Sequence, residues 1–210
     1  QEFENTKDNK YKKLISRYNN IQMARKISLN SAYGAIGNQY FRYYDKAIAE
    51  GITKSGQLSI RWIENKLNKY LNNVLKTDKD YVIASDTDSV YLTLDKLVTK
   101  TIKSDNALSK TINFLDKVAS ESIEPYITKS YDELKQYTNA FANKMFMKRE
   151  VIADKGIWVA KKRYILNVWD SEGVSYKEPK LKMMGIEAVK SSTPAPVSYT
   201  HLRAHETLDN

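Results

Sequence analysis

Two groups of residues have the types and spacing that chemistry needs. The first is Asp86-Thr87-Asp88-Ser89, framed by the apolar runs Tyr81-Val-Ile-Ala84 and Val90-Tyr-Leu-Thr-Leu94. Two carboxylates two residues apart on extended chain project on the same side. Negative charge gathered in this way is unfavourable unless a cation binds beside it. Hard divalent cations such as Mg²⁺ take oxygen ligands of this kind and use substrate phosphates to complete the shell. The same residues also read as a plain turn, because Asp and Ser bond to their own backbone there. Buried arms on both sides would hold the acidic tip rigidly, as a metal site requires.

The second group is Lys26, Asn30 and Tyr33, spaced by four and three. On a helix they fall within a sector of roughly 60°. That sector lies away from the apolar stripe of Leu14, Ile21 and Ala32, so one face is expected to pack while the other presents a cation, an amide and a ring. Lysine binds a triphosphate as a point charge. Asparagine donates to phosphate or sugar, and tyrosine stacks on a base. A solvated polar face with one surface tyrosine has the same composition.

The rest of the sequence narrows the classes. Among 210 residues there is no cysteine, which excludes disulfides, thiol catalysis and cysteine-bound zinc. No run of ~18 apolar residues is present, which excludes a helical membrane span. The net charge of +9 points to a polyanionic partner, most commonly nucleic acid. Three chemistries stay open on these grounds. A metal-dependent glycosyltransferase uses Asp-x-Asp but has no need of Lys26, Asn30 and Tyr33. A phosphatase could use Asp86 and Asp88, yet the pattern of a doubly wound sheet is missing. A non-catalytic DNA-binding module explains the charge but not the paired acids.

The elements that must position these groups follow from periodicity. Lys12 to Gly34 reads as a helix stopped by Gly34 and Gly37, and Ile52 to Leu75 as a second. Phe41-Arg-Tyr-Tyr44 reads as a short strand or loop. Tyr81–Ala84 and Val90–Leu94 form the arms of a β-hairpin. Asp105 to Glu124 is an amphipathic helix ended by Pro125, and Ile127 to Tyr137 another. Val151–Ala153, Ile157–Ala160 and Tyr164–Trp169 read as strands, with Asp170–Gly173 as a turn. The fold class is therefore α+β. Val197–Asn210 has no apolar period and resembles the translation of a sequencing adapter, so it is set apart from the fold. It holds both histidines, His201 and His205, and without it the formal charge becomes +10.

Four stretches, in this order, resemble the family B DNA polymerases. Lys26-Ile-Ser-Leu-Asn30-Ser31-Ala-Tyr33-Gly34 is similar to that family's pattern Lys-x-x-x-Asn-Ser-x-Tyr-Gly on the fingers helix. Asp86-Thr87-Asp88-Ser89 is similar to the second palm carboxylate motif. Lys161-Lys162-Arg163-Tyr164 resembles the segment that follows the primer–template minor groove. Glu178-Pro-Lys-Leu-Lys-Met-Met-Gly-Ile-Glu187, then Lys190-Ser-Ser-Thr-Pro194, resembles the passage from palm to thumb. Gly37-Asn38 and Phe41–Asp45 are most similar to the replicative polymerases of T-even-type bacteriophages. The resemblance covers nearly all of residues 10 to 196.

The resemblance implies a polymerase palm, an antiparallel sheet with flanking helices, joined to the C-terminal fingers helix. Residues 1–34 are then fingers, 35–180 palm, 181–196 the start of the thumb, and 197–210 the foreign tail. It implies DNA-directed DNA polymerase activity with two Mg²⁺ ions, Asp88 as a direct ligand and Asp86 as a weaker ligand or electrostatic tuner. Lys26, Asn30 and Tyr33 bind the incoming deoxynucleoside triphosphate, and Lys161, Lys162, Arg163 and Tyr164 bind primer–template DNA. Glu150 follows Lys148-Arg149, where phage relatives carry an acidic residue first, and is carried over only as a near-site carboxylate. The first palm aspartate motif, the exonuclease domain and most of the fingers are expected upstream of Gln1, and the thumb after Pro196. A sliding clamp engaged through that C-terminal region, and the cytoplasm of a bacterial host, complete the implied setting.

Overall fold

The computed structural model describes residues 9–102, 108–189, 193–194 and 196. The chain divides into two compact units, Gln1–Gln57 and Leu58–Asn210. His201, His205 and the rest of 197–210 lie outside the described residues, as do Asp105, Lys190, Ser191 and Ser192.

In the first unit, helix α1 spans Asn9–Ile36 and buries none of its side chains. The expected packing stripe is thus corrected: Tyr18 and Leu29 are 64% and 74% exposed. Ile15, Met23 and Ile27 fall off the stripe, so the apolar groups spread around the helix instead of gathering on one side. The helix runs through Gly34 and stops at Gly37, whose N–H still donates to the Tyr33 carbonyl at 3.2 Å. Phe41–Tyr44 forms turns, not a strand, with the Tyr44 N–H bonded to the Phe41 carbonyl. Helix α2, Lys46–Leu75, begins well before the expected Ile52 because Asp45 caps it. The Asp45 Oδ1 accepts the Ile48 N–H at 3.0 Å, satisfying one of the free donors of the first turn.

In the second unit, α2 buries Ser59, Ile63, Leu67, Leu71 and Leu75, a ridge at every fourth residue. Ile63 and Leu67 are fully buried against Val82, Ile123, Ile127, Tyr131 and Leu134. The end of α2 also aims the first strand. Asn68 Oδ1 accepts the N–H groups of Tyr81 and Val82 at 2.8 and 3.1 Å. Asn72 Oδ1 accepts the Lys79 N–H at 2.9 Å. Strands β1, Val82–Asp86, and β2, Ser89–Leu92, then pair antiparallel, with a bulge that leaves Ile83 without a partner in the register.

A short helix α3, Asp95–Thr101, follows. Helix α4, Leu108–Val118, continues through a π-helical turn, Ala119–Ile123, into α5, Glu124–Tyr137. Pro125 therefore does not end the helix as the sequence suggests. The Glu124 N–H bonds back to the Ala119 carbonyl, five residues earlier, and this widened turn takes up the proline that a regular helix interior would reject.

Strands β3, Val151–Ala160, β4, Arg163–Ser171, and β5, Val174–Met184, form an antiparallel sheet in the order β3-β4-β5. β3 is one bulged strand instead of two, since Lys155 and Gly156 stay in the ladder across the bulge at Asp154. β4 alternates strictly, burying Tyr164, Leu166, Val168 and Asp170. β5 contains Pro179, which an edge strand tolerates where the register slips between Val168 and Asp170 of β4. The whole is an α+β arrangement of helices and antiparallel sheets, and no helix among the described residues is long and apolar enough to cross a membrane.

Candidate functional site

The acidic residues lie at the tip of the β1–β2 hairpin. Asp86 closes β1 opposite Ser89, and Thr87 and Asp88 make the turn. The segment is not extended as the spacing suggests. Thr87 has φ +53°, and the Asp88 N–H bonds to the Asp86 carbonyl at 2.6 Å, as in a γ-turn. A β-branched residue in the left-handed region is strained, and such strain concentrates at working sites. The carboxylates are differentiated by this turn. Asp88 is exposed, whereas Asp86 is partly buried and accepts the Thr87 hydroxyl at 2.9 Å. The Ser89 hydroxyl donates to the Asp86 carbonyl at 3.1 Å and fixes the return of the chain.

A basic turn stands against this tip. Lys161 and Lys162 join β3 to β4, and Lys162 also has a left-handed φ of +61°. Its Nζ lies 3.8 Å from Asp86 Oδ1, with 62% of the lysine side chain exposed. So open a pair contributes no more than about 1 kcal/mol, but it puts a cation at the acidic tip. Gly185 holds the turn from behind: a Cβ there would fall 2.2 Å from the Lys162 carbonyl. Arg163 is ion-paired with Glu187 in the short 3-10 helix Glu187–Val189. Tyr164 is buried, and its hydroxyl accepts that of Tyr91 at 2.8 Å.

Tyr91 links the two hairpins. Its ring meets Trp158 edge-on at 5.4 Å and lies 5.4 Å from Tyr164. Burial, and then the Tyr164 hydroxyl, push the Tyr91 phenol up to about 12. Neither Tyr91 nor Gly185 stands out in the sequence as a site residue. The signal for Tyr91 is its parity with Asp86: it follows Ser89, the partner of Asp86, by two residues. Glu150 precedes β3 and is ion-paired with Lys182 of β5, not with the acidic tip.

Lys26, Asn30 and Tyr33 lie on α1 in the other unit, and all three are exposed. Lys26 and Asn30 line a shallow depression on α1 with Tyr18, Ile21, Arg25 and Leu29. Helical spacing alone sets their common sector, because no tertiary packing orients α1 among the described residues.

The tip's donor set suits a hard divalent cation: two carboxylates with a hydroxyl beside them. Among the described residues no cluster of three or more acidic or histidine side chains forms. Two carboxylates alone do not complete the shell of such a cation.

Comparison with known proteins identifies the family. The family model for DNA polymerase family B matches residues 1–201. The DNA-directed DNA polymerase of Escherichia phage RB69 is 48% identical over 186 residues, which are 84% of this chain and 21% of that protein. The DNA-directed DNA polymerase of Enterobacteria phage T4 is 45% identical over 192 residues, 85% of this chain and 21% of that protein. The DNA polymerase beta of African swine fever virus is 31% identical over 104 residues, 49% of this chain and 8% of that protein. This chain thus spans 21% of the length of each phage relative. With a family match over residues 1–201 and 45–48% identity to two phage polymerases over most of its length, the chain belongs to DNA polymerase family B.

Proposed function

We propose that this chain is part of a template-directed DNA polymerase that adds deoxynucleotides to a primer 3′ end, serving phage DNA replication in the cytoplasm of a bacterial host. The observation that carries this reading is the Asp86–Asp88 turn at a hairpin tip with the Lys162 cation against it. The phage relatives are named DNA-directed DNA polymerases, and none of those compared favours sugar transfer or a non-catalytic role. In this reading residues 1–34 belong to the fingers, 35–180 to the palm and 181–196 to the start of the thumb.

Two Mg²⁺ ions, when bound, activate the primer hydroxyl and neutralise charge on the triphosphate. Asp88, exposed and free of intramolecular ion pairs among the described residues, offers its carboxylate as a direct ligand. Asp86 shares its carboxylate with Thr87 and Lys162 and so tunes the charge of the tip. Lys26 neutralises the triphosphate, Asn30 orients it, and Tyr33 packs on the nascent base pair. Electrostatic help of this kind dominates phosphoryl transfer. Lys161 and Lys162 grip the duplex from their exposed turn, while the Glu187 pairing restrains Arg163. Base pairing supplies template specificity, and a sliding clamp holds the complete enzyme on DNA.

The test is Asp88→Ala in the full-length enzyme. Primer extension with Mg²⁺ should fall by about a thousandfold or more, with primer–template affinity largely kept. Turnover close to wild type would refute the ligand role.

A further inference from the structure

We propose that the Tyr91–Tyr164 hydroxyl pair is a positioning link that fixes the carboxylate tip against the basic Lys161–Lys162 turn, and that the two tyrosines act as one unit. This rests on the polymerase reading and gives Tyr91, and Tyr164 in place of the DNA contact the resemblance implies for it, a role in setting geometry without touching substrate.

Two connections join the hairpins near their tips. The Lys162–Asp86 pair is open to solvent and separated by 3.8 Å, so salt screens it and it holds no fixed geometry. The Tyr91–Tyr164 bond is of the other kind: 2.8 Å long, with Tyr164 5% exposed and both rings packed beside Trp158. Each tyrosine also stands close to the element it would steady. Tyr91 is two residues beyond Ser89, the cross-strand partner of Asp86. Tyr164 is two residues beyond Lys162 and pairs with Trp158 in the ladder. Ser89 and Tyr91, two apart on β2, share a face, and Tyr164 follows the basic turn directly on β4, so a shift of either ring carries its tip along. A tyrosine phenol is protonated at neutral pH, so Tyr91 remains a donor.

Loss of the link should misplace the reacting groups without loosening the grip on DNA, because Lys161 and Lys162 remain on their turn. The experiment is a double-mutant cycle in the full-length polymerase: Tyr91→Phe, Tyr164→Phe and both together. Single-turnover nucleotide insertion, equilibrium primer–template affinity and melting temperature are measured. Phenylalanine keeps the ring packing, so melting should stay near wild type. Each single variant should slow insertion by about tenfold to a hundredfold. The double variant should be no slower than the slower single one, because one shared bond is lost in each case. Duplex affinity and nucleotide KM should not change. Insertion rates within about twofold of wild type, or losses that multiply in the double variant, would overturn the link. Weaker duplex affinity in Tyr164→Phe alone would also overturn it, since Tyr164 would then act on DNA directly. Asp88→Ala in parallel separates the two claims: an active Asp88→Ala enzyme sinks the polymerase reading, whereas an inactive one beside wild-type-like tyrosine variants sinks only the link.

Discussion

Gly185 shows how much one residue can decide. Its φ is +64°, and any side chain there would drive a Cβ to 2.2 Å from the Lys162 carbonyl, a backbone atom with no freedom to swing aside. Gly185→Ala should therefore destabilise the fold by roughly 2–3 kcal/mol, from backbone strain and from displacement of the basic turn. Melting of the full-length protein checks this, with Gly173→Ala as the control. Gly173 has a similar φ of +85° but open space around it, so it carries only the strain. Equal effects at the two positions would show that the close approach at Lys162 does not matter. The candidate site was only partly legible at this scale. The paired carboxylates, and the lysine, amide and ring on one helical sector, could be picked out by type and spacing, though a plain turn and a solvated face share those patterns. The geometry of the tip was not legible, because a threonine gives no hint that it will take a left-handed turn. Nor does a tyrosine within an apolar strand signal that its hydroxyl will reach a second hairpin.

Between elements, the joint that matters most is at Arg149. Its guanidinium is ion-paired with the buried Asp170 of β4 and lies 2.6 Å from Asp116 of α4, while the backbone N–H of Arg149 donates to Glu124 Oε1 at 2.9 Å. This ties a helix to the sheet immediately before Glu150. Burial pushes Asp170 up, but the Ser175 hydroxyl, Arg149 and the Gly173 N–H outweigh it and hold the carboxyl below its ordinary range. Arg149→Met would leave Asp170 buried without its cation, at a cost of about 3–5 kcal/mol. Adding Asp170→Asn should restore part of that loss, and thermal melting of the two variants checks both expectations. The sign of the pH dependence follows. A carboxyl depressed by folding stabilises the fold above its unfolded value, near 3.9, and the contribution is lost as pH falls through the lower folded value. Wild type should thus lose stability below about pH 4, and Arg149→Met should lose less over that range. Melting curves of identical steepness against pH would contradict the role of the pair.

The elements themselves were unevenly legible. β4 alternates so cleanly that its buried face could be read directly, and the acidic hairpin followed from two apolar runs about a turn. Pro125 misled because a π-helical turn, which leaves no mark in the composition, absorbs it. The strand β5 hid behind Pro179, and α1 buries none of its apolar residues, which spread around the helix. Each error has the same physical source: local preference was overridden by, or left waiting for, tertiary context.

For the molecule as a whole, the charge of +9 suits the phosphate-rich partner that the proposed function requires. The candidate chemistry is divided between two units, with Lys26, Asn30 and Tyr33 in one and Asp86, Asp88 and the basic turn in the other. Under the proposed function these are the nucleotide-binding and metal-binding groups of one polymerase. The measurement that tests this most directly is a crystal structure of the full-length protein with primer, template and incoming nucleotide, with Mn²⁺ located by its anomalous signal. The account predicts a metal peak at coordination distance from the Asp88 carboxylate, about 2.0–2.2 Å, with Lys26 on the triphosphate. A metal peak remote from Asp88, or a Lys26 turned away from the phosphates, would contradict it.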